Sequence, residues 1–113
     1  MFQNHKICVV IPALNEEATI GQVIEAIPTF VDYVIVINDG STDQTEVIAL
    51  SKGALVVSHK GNKGLGTAFK SGIQKVLELQ GDIMVNMDAD GQFNPADIQK
   101  LIEPIVTQQA DFV

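Results

Sequence analysis

Two acidic residues follow an apolar stretch late in the sequence. Asp88 and Asp90 come after the run 82–87, which is short, partly β-branched and typical of a buried strand that stops at turn residues. If the extended backbone persists, side chains two residues apart point to the same side. Two carboxylates that converge without a nearby Lys or Arg repel each other unless a cation lies between them. The pattern therefore predicts a site for a divalent metal ion.

The ligand type indicates which metal would bind. Mg²⁺ or Mn²⁺ takes one or two carboxylates and completes its shell with water and substrate phosphates. Gln92 offers a neutral carbonyl oxygen on the same side, so we expect Asp88, Asp90 and Gln92 to be the metal ligands. The alternative is that both acids are solvated in a turn and cap a helix that begins near Pro95.

Composition indicates a small acidic protein. The 113 residues suffice for one domain, 1–113, with a modest core. Seven basic residues against fourteen acidic ones give a net charge of −7, which argues against binding nucleic acid or an anionic membrane by bulk charge. The single cysteine, Cys8, excludes an internal disulfide, and neither a secretory signal nor a membrane span is evident. We therefore expect a cytoplasmic protein that needs a metal to bind phosphates.

Apolar runs and helical patterns alternate along the chain. Strands are predicted at 7–11, 33–37, 54–58 and 82–87, the first ending at Pro12. The predicted helices have apolar faces formed by Ile20, Val23, Ile24 and Ile27; by Val47, Ile48 and Leu50; by Ala68, Phe69, Ile73, Val76 and Leu77; and, from Pro95, by Ile98, Leu101, Ile102 and Ile105. This alternation predicts a parallel α/β sandwich, for which we expect the strand order 3-2-1-4. That order brings the strand ends at 12–13, 38–39 and 88–90 to one edge of the sheet.

Several connecting residues have local interpretations. Asn15 is expected to cap the first helix, with Glu16 and Glu17 in its first turn. His59, after the third strand, is expected at the surface. The glycine-rich segment 61–66 permits close approach to a phosphate, although its spacing matches neither the dinucleotide fingerprint nor the P-loop.

Four motifs lie at the predicted strand ends and cover nearly the whole chain. They are Ile-Pro-Ala-Leu-Asn-Glu-Glu at 11–17, Asn-Asp-Gly-Ser-Thr-Asp at 38–43, Gly-Asn-Lys-Gly-Leu-Gly-Thr-Ala at 61–68 and Asp-Ala-Asp-Gly-Gln at 88–92. Together they resemble the family 2 glycosyltransferases of GT-A fold, and most of all the dolichyl- or polyprenyl-phosphate sugar (mannose or glucose) synthases. The resemblance implies a Rossmann-like three-layer α/β/α fold, with this chain as the N-terminal, donor-binding part.

The resemblance also implies functions for individual residues in a UDP- or GDP-sugar site. Pro12, Ala13 and Glu16 or Glu17 would line the base and ribose, Asp39 beside Asn38 would accept a hydrogen bond from a base imide N–H, Lys63 would lie near the pyrophosphate, and Ala89 would lie in the donor site between the metal ligands Asp88 and Asp90. The metal would stabilise the leaving nucleoside diphosphate. Family members usually have two acids at the positions of Asn38 and Asp39.

The acceptor and the assembly follow from the same resemblance. The acceptor would be a hydroxyl or a phosphate, a polyprenyl phosphate included, which would place the full-length protein at the inner face of a membrane. The catalytic base and the acceptor-binding elements have no counterpart in the chain, so we expect donor binding with little sugar transfer. A fifth strand would only begin at 110–113, and the open sheet edge predicts a homodimer.

Two other classes of protein remain open at this point. One is a nucleotide-binding module without catalytic activity. The other is a phosphoacceptor receiver domain, which also has a parallel sheet and acids around Mg²⁺. A receiver needs an Asp at the end of the third strand, where this chain has His59 and Lys60.

Overall fold

The computed structural model describes residues 1–91, 94, 97–100 and 102. Its strands are β1 (Ile7–Ala13), β2 (Tyr33–Asn38), β3 (Leu55–Ser58) and β4 (Ile83–Asn86), and its helices are α1 (Ile20–Glu25), α2 (Thr45–Ser51) and α3 (Leu65–Glu78). The strands pair in parallel in the order β3-β2-β1-β4. The predicted strand order is therefore confirmed.

Strand β1 separates two apolar layers. Its residues Ile7, Val9 and Ile11 face the layer that also contains buried side chains of α1 and α2. Cys8 and Val10 face the opposite layer, which contains buried side chains of α3. Alternate side chains of a strand point to opposite faces, so a central strand that is apolar at every position is covered on both sides. The result is the expected α/β/α arrangement.

The first strand continues past Pro12, where the sequence predicted its end. The carbonyl groups of Ile7 and Ala13 accept hydrogen bonds from Asp32 N–H and Asp39 N–H. The backbone N–H and C=O groups of the odd-numbered residues of β1 therefore point towards β2. The backbone of Pro12 therefore points towards β4, and the pairing between β1 and β4 has already ended at Val10 and Asn86. The missing N–H of proline removes no ladder bond there.

The first helix starts later than predicted, at Ile20, with no acidic residue in its first turn. Asn15 does not cap it. Asn15 has a φ of 54°, and its side-chain Oδ1 accepts a hydrogen bond from Thr42 N–H at 2.8 Å. Glu17 Oε2 likewise accepts from Gln44 N–H, at the start of α2. The loop after β1 is thus bonded to the loop after β2.

Helix α1 buries Ile20, Val23 and Ile24 as predicted, whereas α2 and α3 bury small residues where the sequence predicted some larger ones. Val47 and Leu50 of α2 are 59% and 55% exposed, and Leu77 of α3 is 69% exposed. On α3 the buried residues are Ala68, Gly72 and Val76. A Cβ at Gly72 would lie only 2.7 Å from Val10 Cγ1. The helix therefore lies close to the sheet because small side chains face the large ones of β1.

The fourth predicted helix is described only in part. Ile98 and Ile102 are fully buried, as predicted, and both are helical. Pro95, Leu101, Ile105, Gln92 and the segment 110–113 lie outside the described residues. In the part of the chain that the structure describes, no helix is long and apolar enough to cross a membrane.

Candidate functional site

A cleft of about 400 Å³ opens at the carboxyl ends of β1, β2 and β4. The chain passes from β1 to β2 on one side and later returns to β4 on the other, so the cleft lies at the switch point of the sheet. Its described lining residues are Pro12, Ala13, Leu14, Glu16, Asp39, Asn62, Gly64, Leu65, Ala68, Asp88, Ala89 and Asp90. The strand ends at 12–13, 38–39 and 88–90 were expected to lie at one edge of the sheet, and residues from all three line this cleft.

The lining of the cleft is strongly acidic. It contains the four carboxylates of Glu16, Asp39, Asp88 and Asp90, and no described lining residue is Lys or Arg. A phosphate group brought among these acids would be repelled unless a cation stood between them. The electrostatics of the cleft thus favour a cation or a cation-bound anion as its ligand.

Asp88 and Asp90 lie on one side of the chain after β4. Both are exposed, whereas Met87 and Ala89, which alternate with them, are each 3% exposed. The Thr19 hydroxyl donates a hydrogen bond to the Ala89 carbonyl and so ties this turn to the start of α1. Both acids also line the cleft.

Two carboxylates fit one kind of metal better than others. Within the described ranges, no group of three or more His, Cys, Asp or Glu side chains could hold a metal ion. Mg²⁺ and Mn²⁺ need only one or two carboxylates when water and substrate phosphates supply the remaining oxygens. Asp88 and Asp90 fit that requirement, whereas the third predicted ligand, Gln92, lies outside the described residues.

Asp39 is a buried carboxylate that accepts hydrogen bonds from three groups. Oδ1 accepts from Lys63 N–H at 2.8 Å and lies 2.8 Å from His59 Nδ1, and Oδ2 accepts from Gly64 N–H at 2.9 Å. Burial by itself would raise the pKa of Asp39, but the hydrogen bonds from His59, Lys63 and Gly64 outweigh it and lower the pKa. Asp39 is therefore ionised at neutral pH and acts only as an acceptor.

The glycine-rich loop packs directly on the turn after β2. Gly40 has a φ of 84°, and a Cβ placed on it would lie 2.5 Å from the carbonyl carbon of Gly61. Gly64 has a φ of 89° and precedes α3, where no side chain caps the helix. Glycine at these positions lets the loop follow the turn at backbone distance.

His59 is not the surface residue that the sequence predicted. Its side chain is 11% exposed, and Nε2 lies 2.8 Å from Ser71 Oγ on α3. His59 N–H donates to the Asn38 carbonyl at 2.9 Å. In the strand order 3-2-1-4 the residue after β3 lies beside the residue after β2, and that signal could have placed His59 next to Asp39.

The remaining predicted site residues divide into two groups. Pro12, Ala13 and Glu16 line the cleft, whereas Glu17, Asn38 and Lys63 are not among its described lining residues. Asn38 is 6% exposed, and its Oδ1 accepts from Ser41 N–H. Lys63 contributes its backbone N–H to Asp39. Their functions in donor binding remain predictions.

Five lining residues had been given no individual function from the sequence, although the segment 61–66 had been considered as a whole. They are Leu14, Asn62, Gly64, Leu65 and Ala68. All five lie inside two of the quoted motifs, and the rule that ligands bind beyond strand ends could have selected them. The third strand ends at Ser58 without the Asp that a receiver domain requires.

The chain is similar in sequence to known glycosyltransferases. The family described as Glycosyl transferase family 2 matches residues 8–113. The UDP-N-acetylglucosamine–dolichyl-phosphate N-acetylglucosaminyltransferase of Methanococcus voltae is 34% identical over 95% of this chain and 50% of its own length. The glucosyl-3-phosphoglycerate synthase of Mycobacterium tuberculosis is 39% identical over 89% of this chain and 34% of its own length.

A crystal structure of that mycobacterial synthase with Mn²⁺, UDP and glucosyl-3-phosphoglycerate superimposes with a TM-score of 0.77. It shares 38% identity over 92% of this chain and 40% of the crystallised one. The chain thus spans half or less of the length of these relatives. The likeness confirms the expected Rossmann-like fold, the N-terminal part of a GT-A fold. Sequence, topology and site together show that the chain belongs to the glycosyl transferase family 2.

Proposed function

We propose that this chain binds a UDP-linked sugar together with Mg²⁺ or Mn²⁺, as the donor-binding part of a glycosyltransferase. The observation that carries the proposal is the lining of the cleft, where Asp88 and Asp90 lie on one side of the chain and no described lining residue is cationic. A diphosphate can enter such a cleft only with a divalent cation. The mycobacterial relative has been crystallised with Mn²⁺ and UDP-glucose.

The chain's own residues would position the donor. Pro12, Ala13 and Leu14 line the cleft and would provide a largely apolar wall for the base, and Glu16, which also lines it, would accept hydrogen bonds from the ribose hydroxyls. The first N–H groups of α3 have no side-chain cap, and they would bind phosphate oxygens as uncapped helix N-termini can. A metal held by Asp88 and Asp90 would supply Lewis-acid stabilisation of the departing diphosphate.

Asp39 gives the proposal its preference for the base. An ionised carboxylate accepts hydrogen bonds but cannot donate them. Uracil and guanine each present a ring N–H to such a group, whereas cytosine presents a lone pair at the corresponding nitrogen. UDP is favoured over GDP because the relatives named above are UDP-sugar enzymes or were crystallised with UDP.

For the acceptor, we propose a molecule that carries a phosphate. One relative is named for dolichyl phosphate and another for 3-phosphoglycerate. A polyprenyl phosphate would require the full-length protein to work at a membrane surface, whereas phosphoglycerate would not. Transfer of labelled sugar from UDP-glucose or UDP-N-acetylglucosamine to each acceptor distinguishes them.

A nucleotide-binding module without catalytic activity is the second candidate. It is favoured by the share of the relatives that this chain spans, at most half for the relatives compared above. Donor binding without any transfer or donor hydrolysis would support it. Turnover by the same polypeptide would support the transferase.

Calorimetry with UDP tests the donor site itself. We expect binding in the presence of Mn²⁺ and none in excess chelator, and we expect Asp90→Asn to weaken binding at least tenfold. Glu78→Gln is the matched control, because it removes one negative charge from the far end of α3, where Glu78 pairs only with Lys75 among the described residues. Weak binding of CDP relative to UDP is expected from Asp39. Equal UDP affinity with and without metal would overturn the proposal.

A further inference from the structure

His59 connects three elements around the cleft. Its backbone continues the β2–β3 ladder by one bond to Asn38, its Nδ1 contacts Asp39 Oδ1, and its Nε2 contacts Ser71 Oγ in α3. Both ring nitrogens have partners at 2.8 Å, and the side chain is 11% exposed. The ring is therefore held in one orientation between the end of β2 and the helix.

The hydrogen-bond partners also determine the tautomer of the neutral ring. The ionised Asp39 carboxylate can only accept, so His59 Nδ1 carries the proton and donates it to Oδ1. Nε2 then accepts from the Ser71 hydroxyl, which is able to donate. Ser71 orients the ring, and the ring in turn orients the carboxylate.

The Asp39 carboxylate has a limited number of acceptor positions. A carboxylate offers about four lone-pair positions. His59 and Lys63 N–H use two on Oδ1, and Gly64 N–H uses one on Oδ2. One position on Oδ2 remains, and Asp39 lines the cleft. A ligand with a single N–H can therefore bind Asp39 while the loop 61–64 stays bonded to the same carboxylate.

We infer that His59 is a positioning residue for the donor. It fixes the rotation of the Asp39 carboxylate so that the loop 61–64 stays closed on the cleft and one acceptor position on Oδ2 faces the base. Without the Nδ1 donor, only the Lys63 and Gly64 N–H groups hold the carboxylate, and it can turn further about its terminal torsion, which is a broad one. The bonds to Lys63 and Gly64 then weaken and the open position no longer points to the base. This inference rests on the proposed function.

A pair of amide substitutions separates positioning from packing. In His59→Asn the side-chain amide nitrogen replaces Nδ1 and can still donate to Asp39, whereas in His59→Gln it replaces Nε2 and reaches only towards Ser71. We expect His59→Asn to retain UDP affinity within roughly threefold and His59→Gln to lose roughly tenfold or more, the size of a lost charge-assisted hydrogen bond. If the ring only fills space, the larger Gln would be the better substitute and the order would reverse.

Amide hydrogen exchange tests the loop without any ligand. The Lys63 amide should exchange faster in His59→Gln than in the wild type or His59→Asn. The Gly64 amide should change in the same direction but less, because Gly64 N–H also donates to Asn62 Oδ1 at 2.9 Å. The Ile7 amide is the internal control, because it also donates to a carboxylate, that of Asp32, at the opposite end of the sheet. It should be unaffected in all variants.

The outcomes distinguish the two proposals. If the wild type fails to bind UDP with Mn²⁺, the proposed function and the donor part of the inference are wrong, and exchange at Lys63 and Gly64 still decides whether His59 holds the loop. If the wild type binds UDP, His59→Gln binds equally well and the two amides exchange as before, the inference alone is overturned.

Discussion

Gly40 is the position where one added methyl group should disturb the whole site. Its φ of 84° lies in the left-handed region, and a Cβ there would meet Gly61 C at 2.5 Å, with Gly61 O and Asn62 N each at 2.8 Å. These are backbone atoms and cannot rotate away. Gly40→Ala must therefore either displace the loop by about 1 Å, since carbon atoms pack at about 3.5 Å, or distort the turn after β2.

The free-energy cost of Gly40→Ala has two parts. The left-handed backbone costs an alanine about 1–2 kcal/mol. Displacing the loop weakens the two N–H bonds from Lys63 and Gly64 to Asp39, and bonds to a charged group contribute about 1.5–3 kcal/mol each. With the backbone cost and a partial loss of both hydrogen bonds, we expect Gly40→Ala to lower the free energy of unfolding by about 3–5 kcal/mol, which is a large share of the stability of a small domain.

Gly53→Ala measures the left-handed backbone cost without the clash, so the difference between the two variants gives the steric part. Gly53 has nearly the same φ, 85°, but a Cβ there would have no atom within 4 Å. Urea unfolding of both variants should show Gly53→Ala destabilised by about 1–2 kcal/mol and Gly40→Ala by at least a further 2 kcal/mol or so. UDP affinity should fall only in Gly40→Ala. Equal stability losses in the two variants, with UDP binding intact in both, would refute the reasoning.

Three further predictions concern stability and assembly. In the folded state the pKa of Asp39 lies below its ordinary value of 3.8. The stabilising contribution of Asp39 is therefore complete above that pH and is lost as the pH falls through the lower folded value. In urea unfolding at a series of acid pH values, the free energy of unfolding of Asp39→Asn should fall less steeply with decreasing pH than that of the wild type. Edge pairing through β4 should give dimers in light scattering at micromolar concentration, which Asn86→Pro should reduce by removing an outward N–H; a wild-type monomer would contradict this. Gly72→Ala should destabilise the fold by about 1–3 kcal/mol, because the added methyl group clashes with Val10. Gly66→Ala lies on the same helix with open space around it and should stabilise the fold by about 0.5–1 kcal/mol. Similar thermal shifts for both variants would disprove the packing argument.

The strand order and the place of two acids at the cleft could be predicted from local patterns. Each strand is a short apolar run bounded by turn residues, and Asp88 and Asp90 need only a two-residue spacing at a strand end to share one side. The roles of Asn15 and Glu17 could not be predicted in this way. Both have the residue type and position of helix-start residues, yet they bond to the loop after β2, and such contacts depend on which strands become neighbours.

The buried face of α3 was predicted correctly at Ala68 and Val76 but wrongly at two larger residues, for a related reason. Hydrophobic periodicity selects the large residues Phe69 and Leu77, but the helix turns its small residues, including Gly72, towards a sheet that already carries large side chains. The place of His59 beside Asp39 depends on β3 and β2 being neighbours in the sheet, which the periodicity of a single segment does not give but the predicted strand order does. Local sequence patterns were therefore enough to locate the cleft. The hydrogen bonds and packing around it depend on contacts between residues far apart in the sequence.

The bonds between the loop after β1 and the loop after β2 have a consequence for changing donor preference. Asn15, Glu16 and Glu17 are each bonded to residues 41–45, so the two loops form one preformed unit beside the end of the cleft where we propose that the base binds. Such a unit gives up little conformational entropy when a ligand binds. The same linkage means that a base-specificity graft taken from a relative will carry over only when both segments, 13–17 and 38–45, are exchanged together.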